Sequence, residues 1–227
     1  THCISSAASD VYKRQIYWVI EMRVLLVNGS PNKNGTTNRA LEEVDKALRE
    51  NGIETEMFWI GISPIAGCIG CSKCSKSKRC IYNDVVNEFL EKVDNADGFV
   101  FGAPVHFAGV NGSMNSFLDR VFYGKGNLFK GKVAAGVTCC RRAGTIGAFD
   151  RLNKYFTYSC MPIVSSNYWN GVFGFNALDA EKDLEGLQTM RVLGNNMAWL
   201  LKCIELGKKN GIEFPKMEKK ILTNYID

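Results

Sequence analysis

The chain has 227 residues, of which 46% are hydrophobic and 22% charged, and its formal net charge is +5. This length and apolar content suffice for one domain with a sizeable core, and no apolar run approaches the length of a membrane span. The mild charge comes without a basic stripe interleaved with aromatic residues, which argues against nucleic-acid binding. We therefore expect a globular domain with no membrane segment and no nucleic-acid partner.

Residues 1–21 differ in character from the rest of the chain. Residues 5–15 resemble an in-frame translation of a sequencing adapter, so we interpret residues 1–21 as a non-native read-through segment and Met22 as the natural start. With no signal peptide before Met22, we expect a cytoplasmic protein whose remaining cysteines are thiols or metal ligands. The prediction is one domain over 22–210, followed by a C-terminal tail over 211–227.

Short apolar runs alternate with helical stripes along that domain. The predicted strands cover residues 24–27, 54–60, 98–102, 133–138 and 161–165, and a long final helix covers roughly 180–209. This alternation predicts an α/β fold, a doubly wound five-stranded parallel sheet with helices on both faces, for which we take the strand order 2-1-3-4-5. In that order, ligands bind outside the carboxyl ends of strands 1 and 3.

The loop after the first strand, Gly29 to Asn38, is rich in glycine and hydroxyl groups and opens a helix, which is typical of a phosphate site. It lacks the lysine of a nucleotide-hydrolase loop and the G-x-G-x-x-G of a dinucleotide fold. One terminal monophosphate, such as that of FMN, suits it better, although an ordinary strand-to-helix turn remains the alternative. The expected contacts are Ser30, Asn32, Asn34, Thr36, Thr37 and Asn38.

Two further loops could border a flavin ring. Residues 104–107 could offer backbone groups to the ring edge, and residues 139–144 could close its pyrimidine side, where arginine would favour an anionic reduced flavin. The alternatives are that His106 is a loop histidine with one backbone hydrogen bond and that Arg141 and Arg142 are a solvated pair. The expected contacts are Pro104, Val105, His106, Phe107, Asn111, Thr138, Arg141, Arg142 and Gly144.

Together these motifs resemble the NAD(P)H-dependent FMN reductase and multimeric flavodoxin-like family. The likeness covers roughly 22–210 and is carried by residues 29–37, 103–120 and 141–144. It implies a flavodoxin-like fold that binds FMN, two-electron chemistry with NAD(P)H, and a homodimer or homotetramer. Family members usually carry an aromatic residue where this chain has His106, so the resemblance by itself does not define how this side chain contacts the ring.

A loop with four cysteines follows the second predicted strand. Cys68, Cys71, Cys74 and Cys80 lie in a C-x₂-C-x₂-C run with a fourth cysteine further on, a spacing that lets sulfur atoms converge on one centre. The loop resembles the compact cysteine motif of the iron–sulfur flavoproteins, a branch of the same family, which implies a [4Fe–4S] cluster. A tetrathiolate zinc site and a metal-free loop remain alternatives.

These observations predict an FMN-dependent NAD(P)H oxidoreductase that passes electrons to a quinone or another small-molecule acceptor, directly or through a [4Fe–4S] cluster. The flavin would carry the chemistry, so we assign no catalytic side chain. The alternative is an iron–sulfur flavoprotein that exchanges electrons with ferredoxin and turns over no nicotinamide.

Overall fold

A computed structural model describes residues 22–77, 79–219 and 221–223, so the proposed read-through segment lies outside the described residues. The strands are β1 (Arg23–Asn28), β2 (Glu54–Trp59), β3 (Gly98–His106), β4 (Gly109–Val110), β5 (Val133–Cys140) and β6 (Gly171–Phe173). The helices are α1 (Thr36–Glu50), α2 (Cys74–Ser77), α3 (Val85–Val93), α4 (Gly112–Lys125), α5 (Thr145–Tyr158), α6 (Ala177–Ala180) and α7 (Leu184–Lys209), with a 3₁₀ turn at Gly126–Phe129.

The parallel strands follow the order β2-β1-β3-β5-β6, while β4 pairs antiparallel with the end of β3. Counting only parallel strands, this is the order 2-1-3-4-5, and the predicted doubly wound sheet is confirmed. Because β1 and β3 are direct neighbours, the loops that follow them open at the same edge of the sheet.

The prediction of a fifth strand over residues 161–165 was wrong. That segment makes only an isolated bridge, between Ile163 and Ala134. The regular strand at this edge is β6, which pairs with the last three residues of β5. The outer position is therefore shared by two short segments, because the chain leaves β5 after residue 164 and returns to it at residue 171.

Side chains of the sheet alternate between two apolar layers, as the pleat requires. In β1, Leu25 and Val27 face a layer covered by α3, α4 and α5, while Val24 and Leu26 face a layer covered by α1 and α7. The first layer is rich in phenylalanine, and the second brings α1 and α7 into close contact. Among the described residues, no helix combines the length and apolarity that a membrane crossing needs.

A buried carboxylate, Glu43, joins α1 to α7. Its Oε1 lies 2.5 Å from Nη1 of Arg191, and its Oε2 lies 2.7 Å from Nη1 of Arg39. Burial alone would raise the pKa of Glu43, but the hydrogen bonds from Arg191 and Arg39 outweigh burial and lower the pKa below its usual value. The charged form is therefore favoured in the folded state.

We expect Glu43→Gln to destabilise the fold by roughly 1–3 kcal/mol at pH 7, because it removes one partner of a buried charged pair. Since the folded pKa is depressed, this stabilisation is complete above the unfolded pKa of about 4.3 and is lost as pH falls through the folded value. Urea unfolding of wild type and Glu43→Gln, at pH 7 and near pH 3, measures the difference in their free energy of unfolding at each pH. A gap between wild type and variant that stays constant with pH would contradict the assignment, and the exposed Glu50→Gln serves as control.

Candidate functional site

Loops that follow β1, β3, β5 and β6 surround a cavity of about 630 Å³ at the carboxyl edge of the sheet. This is the edge where doubly wound sheets bind ligands. The cavity is lined by Ser30, Asn32, Lys33, Asn34, Gly35, Thr36, Thr37, Pro104, Val105, His106, Cys139, Cys140, Arg141, Gly174, Phe175 and Asn176.

The loop after β1 is held from beneath by buried polar groups. The Asn28 side chain donates to the carbonyl of Lys33 (3.0 Å) and accepts from the backbone N–H of Ser30 (3.0 Å). From the end of β2, Trp59 Nε1 donates to the carbonyl of Ser30 (2.8 Å). These bonds hold the loop from two neighbouring strands.

The amino end of α1 points into this cavity. Its N-cap is Gly35, which offers no side-chain cap, and the first turn has no acidic residue. Thr36 and Thr37, the first two helical residues, are buried. The first N–H groups of a helix carry positive partial charge and lack intrahelical acceptors. This end of α1 is therefore suited to an anion such as a phosphate.

Two glycines let the loop lie tightly against its neighbours. Gly29 donates its N–H to the carbonyl of Gly102 at 2.8 Å. A Cβ at Gly29 would lie 2.7 Å from Met114 Sδ, and one at Gly102 would lie 2.9 Å from Thr37 Cγ2. Real Cβ atoms do not approach so closely, so a larger residue at Gly29 would displace Met114 of α4, and one at Gly102 would push α1 away from β3.

The second wall comes from the end of β3. Pro104, Val105 and His106 line the cavity just before a tight turn into β4. Phe107 and Ala108 form that turn with φ values of +50° and +58°, which is typical of a two-residue hairpin. The turn directs the Phe107 side chain fully into solvent.

The third wall is formed by the end of β5. Burial raises the pKa of the Cys139 thiol to about 12, although a hydrogen bond with Thr37 opposes this effect. Burial also raises the pKa of Cys140. Both thiols are thus kept neutral near the anion site, while the exposed Arg141 adds positive charge to the wall.

Nine of the fifteen predicted contact residues line this cavity. The structure places on its wall Ser30, Asn32, Asn34, Thr36, Thr37, Pro104, Val105, His106 and Arg141. The remaining ones do not line it: Asn38, Phe107, Asn111, Thr138, Arg142 and Gly144.

Some of the remaining residues have supporting contacts instead. Asn38 donates to Glu42 (2.6 Å), and Asn111 donates to the carbonyl of Gly29 (2.9 Å). Thr138 lines a separate cavity of about 270 Å³, and Gly144 begins α5 with a φ of +95°. Asn111, the N-cap residue of α4, thus anchors the loop after β1 to α4.

Sequence reasoning missed the loop after β6. Gly174, Phe175 and Asn176 lie on the cavity wall, and the Gly174 carbonyl accepts from Thr36 Oγ1 at 3.2 Å. These residues were missed because the last strand was placed ten residues too early. The Gly-Val-Phe-Gly run at 171–174 was the available signal, a short apolar run between glycines.

The four cysteines of the second loop line one small cavity of about 20 Å³. Cys74 packs so closely on α4 that a Cβ at Gly124 would lie 2.1 Å from its sulfur. Within residues 22–77, 79–219 and 221–223, no three Cys, His, Asp or Glu side chains are arranged to hold a single metal ion. Four thiols around one cavity are nevertheless the donor set that an iron–sulfur cluster or a tetrathiolate zinc ion requires.

Cys80 is the most firmly held of the four. Its backbone N–H donates to Asn87 Oδ1 (2.8 Å), and its carbonyl accepts from Asn87 Nδ2 (3.0 Å). Its sulfur accepts a hydrogen bond from Arg120 Nε at 3.3 Å. Asn87 is buried in α3 and Arg120 in α4, so two helices fix this cysteine.

Comparison with known proteins agrees with this geometry. The family model described as NADPH-dependent FMN reductase matches residues 22–175. An iron–sulfur flavoprotein of Methanocaldococcus jannaschii is 31% identical over 194 residues, which cover 81% of this chain and 100% of that protein. An iron–sulfur flavoprotein of Methanosarcina thermophila is 25% identical, over 81% of this chain and 97% of its own.

Solved structures show the same fold at low sequence identity. An NAD(P)H:quinone oxidoreductase from Methanothermobacter marburgensis superposes with a TM-score of 0.60 at 17% identity, over 78% of this chain and 97% of its own. A flavodoxin from the domain Archaea gives a TM-score of 0.55 at 14% identity, over 80% of this chain and 99% of its own. The sheet described above is thus a flavodoxin-like sheet.

Proposed function

Because the chain belongs to the NADPH-dependent FMN reductase family, we propose that it is an FMN-dependent oxidoreductase that takes electrons from NAD(P)H and passes them to a quinone or another small acceptor. The observation that carries this proposal is the cavity at the end of β1 and β3, where the uncapped amino end of α1 and residues 104–106 line the same space. Four thiols around a second cavity support a [4Fe–4S] cluster as a further electron carrier.

Different residues on the cavity wall would bind the phosphate and the ring of FMN. The amino end of α1, with Ser30, Thr36 and Thr37, would hold the phosphate, and the backbone of residues 104–106 would border the ring. Bound FMN supplies the coupling of a two-electron donor to one-electron or two-electron acceptors. The neutral Cys139 thiol would add no charge beside the phosphate, and Arg141, on the same wall, would attract anionic ligands to the cavity.

A second candidate is favoured by the names of the relatives. Several curated relatives are named iron–sulfur flavoproteins, and that name specifies no nicotinamide. In this second function the protein exchanges electrons with ferredoxin, and the cluster loop is the contact point. The exposed cations Lys73, Lys76 and Arg79 around the cysteines would suit an acidic protein partner.

Anaerobic stopped-flow spectroscopy distinguishes the two. We expect NADPH or NADH to bleach the flavin absorbance of the purified protein at a rate that saturates with nicotinamide concentration. Reduction by a reduced bacterial ferredoxin or dithionite, with no response to either nicotinamide, would contradict the oxidoreductase and support the carrier. Fully reduced protein mixed with a soluble quinone measures the second half of the reaction.

We also propose a homodimer or homotetramer, which the family resemblance implies. Tyr168, Trp169 and Phe175 lie at the carboxyl edge of the sheet and are more than half exposed, as expected of side chains that a second subunit covers. Sedimentation of the purified protein as a monomer would contradict this assembly.

A further inference from the structure

Arg120 extends from α4 into the cysteine loop, where it is almost completely buried, with its side chain 1% exposed. A guanidinium has five N–H groups. Nη1 donates to Asp84 Oδ2 (2.6 Å) and to the Ala66 carbonyl (3.4 Å), while Nη2 donates to Asp84 Oδ1 (2.8 Å) and to the Tyr82 carbonyl (3.3 Å). The remaining group, on Nε, donates to Cys80 Sγ at 3.3 Å.

These contacts fix the direction of the Nε–H group. Asp84 accepts hydrogen bonds from the guanidinium with both carboxylate oxygens. Asp84 is also the N-cap of α3, where it accepts a hydrogen bond from the backbone N–H of Val86 (3.2 Å). The ring of Tyr82 lies 5.0 Å from the guanidinium carbon. Asp84 is fixed at the start of α3 and Arg120 lies in α4. Because two helices hold this ion pair, the Nε–H group of Arg120 points at the Cys80 sulfur without a bound metal.

Arg120 also differs from the other cations of the loop in its surroundings. Lys73, Lys76 and Arg79 are exposed, and Arg79 pairs with Glu91. Charges in water are screened over a Debye length of about 8 Å at physiological salt. A donor that is buried against the cavity of the four cysteines is screened much less, so its effect on charge at the sulfur atoms is larger.

We propose that Arg120 is the residue that positions Cys80 and tunes the cluster of the cysteine loop, by donating its Nε–H to the Cys80 sulfur. This inference rests on the cluster proposed above. Reduction adds negative charge to the cluster and its sulfur ligands, and a hydrogen bond from a buried cation stabilises that charge. Arg120 therefore makes the cluster easier to reduce, in addition to holding one ligand in place.

Cluster reduction potentials of Arg120→Gln and Arg120→Lys, measured by EPR-monitored redox titration, test this proposal. For Arg120→Gln we expect the equilibrium constant for one-electron reduction to fall about tenfold, which corresponds to about 59 mV. Arg120→Lys keeps the positive charge but loses the planar guanidinium and its fixed N–H directions. We therefore expect a smaller shift of the reduction potential in the same direction. Arg79→Gln makes the same replacement at an exposed position of the loop, and we expect it to change the constant less than twofold.

Iron content, measured alongside, separates tuning from a merely structural role. Lower iron content with an unchanged potential in the clusters that remain would overturn the tuning, and so would an equal shift in Arg79→Gln. A wild-type loop that takes up neither a cluster nor Co²⁺ as a thiolate probe, in a protein that still binds FMN, would overturn the proposal while leaving the flavin function intact. Cluster assembly with the Arg120 shift but without FMN binding would support Arg120 and refute the flavin function.

Discussion

Asn34→Asp is expected to weaken FMN binding by roughly 30- to 150-fold while leaving riboflavin binding unchanged. Asn34 is exposed on the cavity wall, directly before the N-cap of α1. The replacement has the same shape and adds one negative charge where the phosphate would lie. Repulsion between close like charges near a protein surface amounts to about 2–3 kcal/mol, which gives this loss of affinity. Riboflavin lacks the phosphate, so it does not meet the repulsion.

The same change leaves the fold intact, because a negative charge near the start of a helix is favourable. Flavin fluorescence quenching gives both dissociation constants, and thermal unfolding checks the stability of the variant. Asn127→Asp is the matched control, since Asn127 is exposed in the turn before β5, at the opposite edge of the sheet. Equal losses for FMN and riboflavin, or no loss for either, would show that the phosphate is held elsewhere.

Cys74→Ala is expected to abolish assembly of the cluster. The wild-type protein, purified without oxygen or reconstituted with iron and sulfide, should contain about four iron atoms per chain and absorb broadly in the visible range. Cys74 is packed between the loop and α4, and its sulfur lines the cavity of the four cysteines. Removing one of four thiolate ligands leaves an iron atom without its protein ligand, so we expect less than one-tenth of the wild-type iron content.

Cys203→Ala provides the control, because Cys203 is exposed on α7 and lies outside the cysteine loop. Its iron content should equal that of the wild type, and both variants should retain FMN. If metal analysis finds one zinc atom per wild-type chain, the loop holds a tetrathiolate zinc site and the cluster assignment is wrong. A wild-type protein without metal under both preparations would refute both metal assignments.

The predicted phosphate loop (residues 29–38) and the cysteine loop could be identified from the sequence because the residues of each loop are contiguous. Between Ser30 and Thr37, the hydroxyl groups and glycines follow one another along the chain, and the first three cysteines are three residues apart. Local spacing of this kind survives any arrangement of the rest of the chain. The groups that support these loops are distant in sequence: Trp59 lies 29 residues from Ser30, and Arg120 lies 40 residues from Cys80.

The misplaced last strand illustrates the limit of short apolar patterns. Residues 161–165 and 171–173 are both short, mainly apolar runs, and periodicity cannot rank two runs of this length. The choice is made by β5, whose carboxyl end pairs with β6 while its start bridges only Ile163. That pairing also brings residues 174–176 to the cavity.

The sequence by itself determined the alternation of strands and helices and the two loops that carry the candidate chemistry, because these depend on the period and spacing of neighbouring residues. Only the tertiary structure decided which polar side chains face the cavity. Beyond the end of a strand, the direction of a side chain depends on turn dihedrals and distant hydrogen bonds, as Phe107 in the β3–β4 turn and Asn111 beneath Gly29 demonstrate.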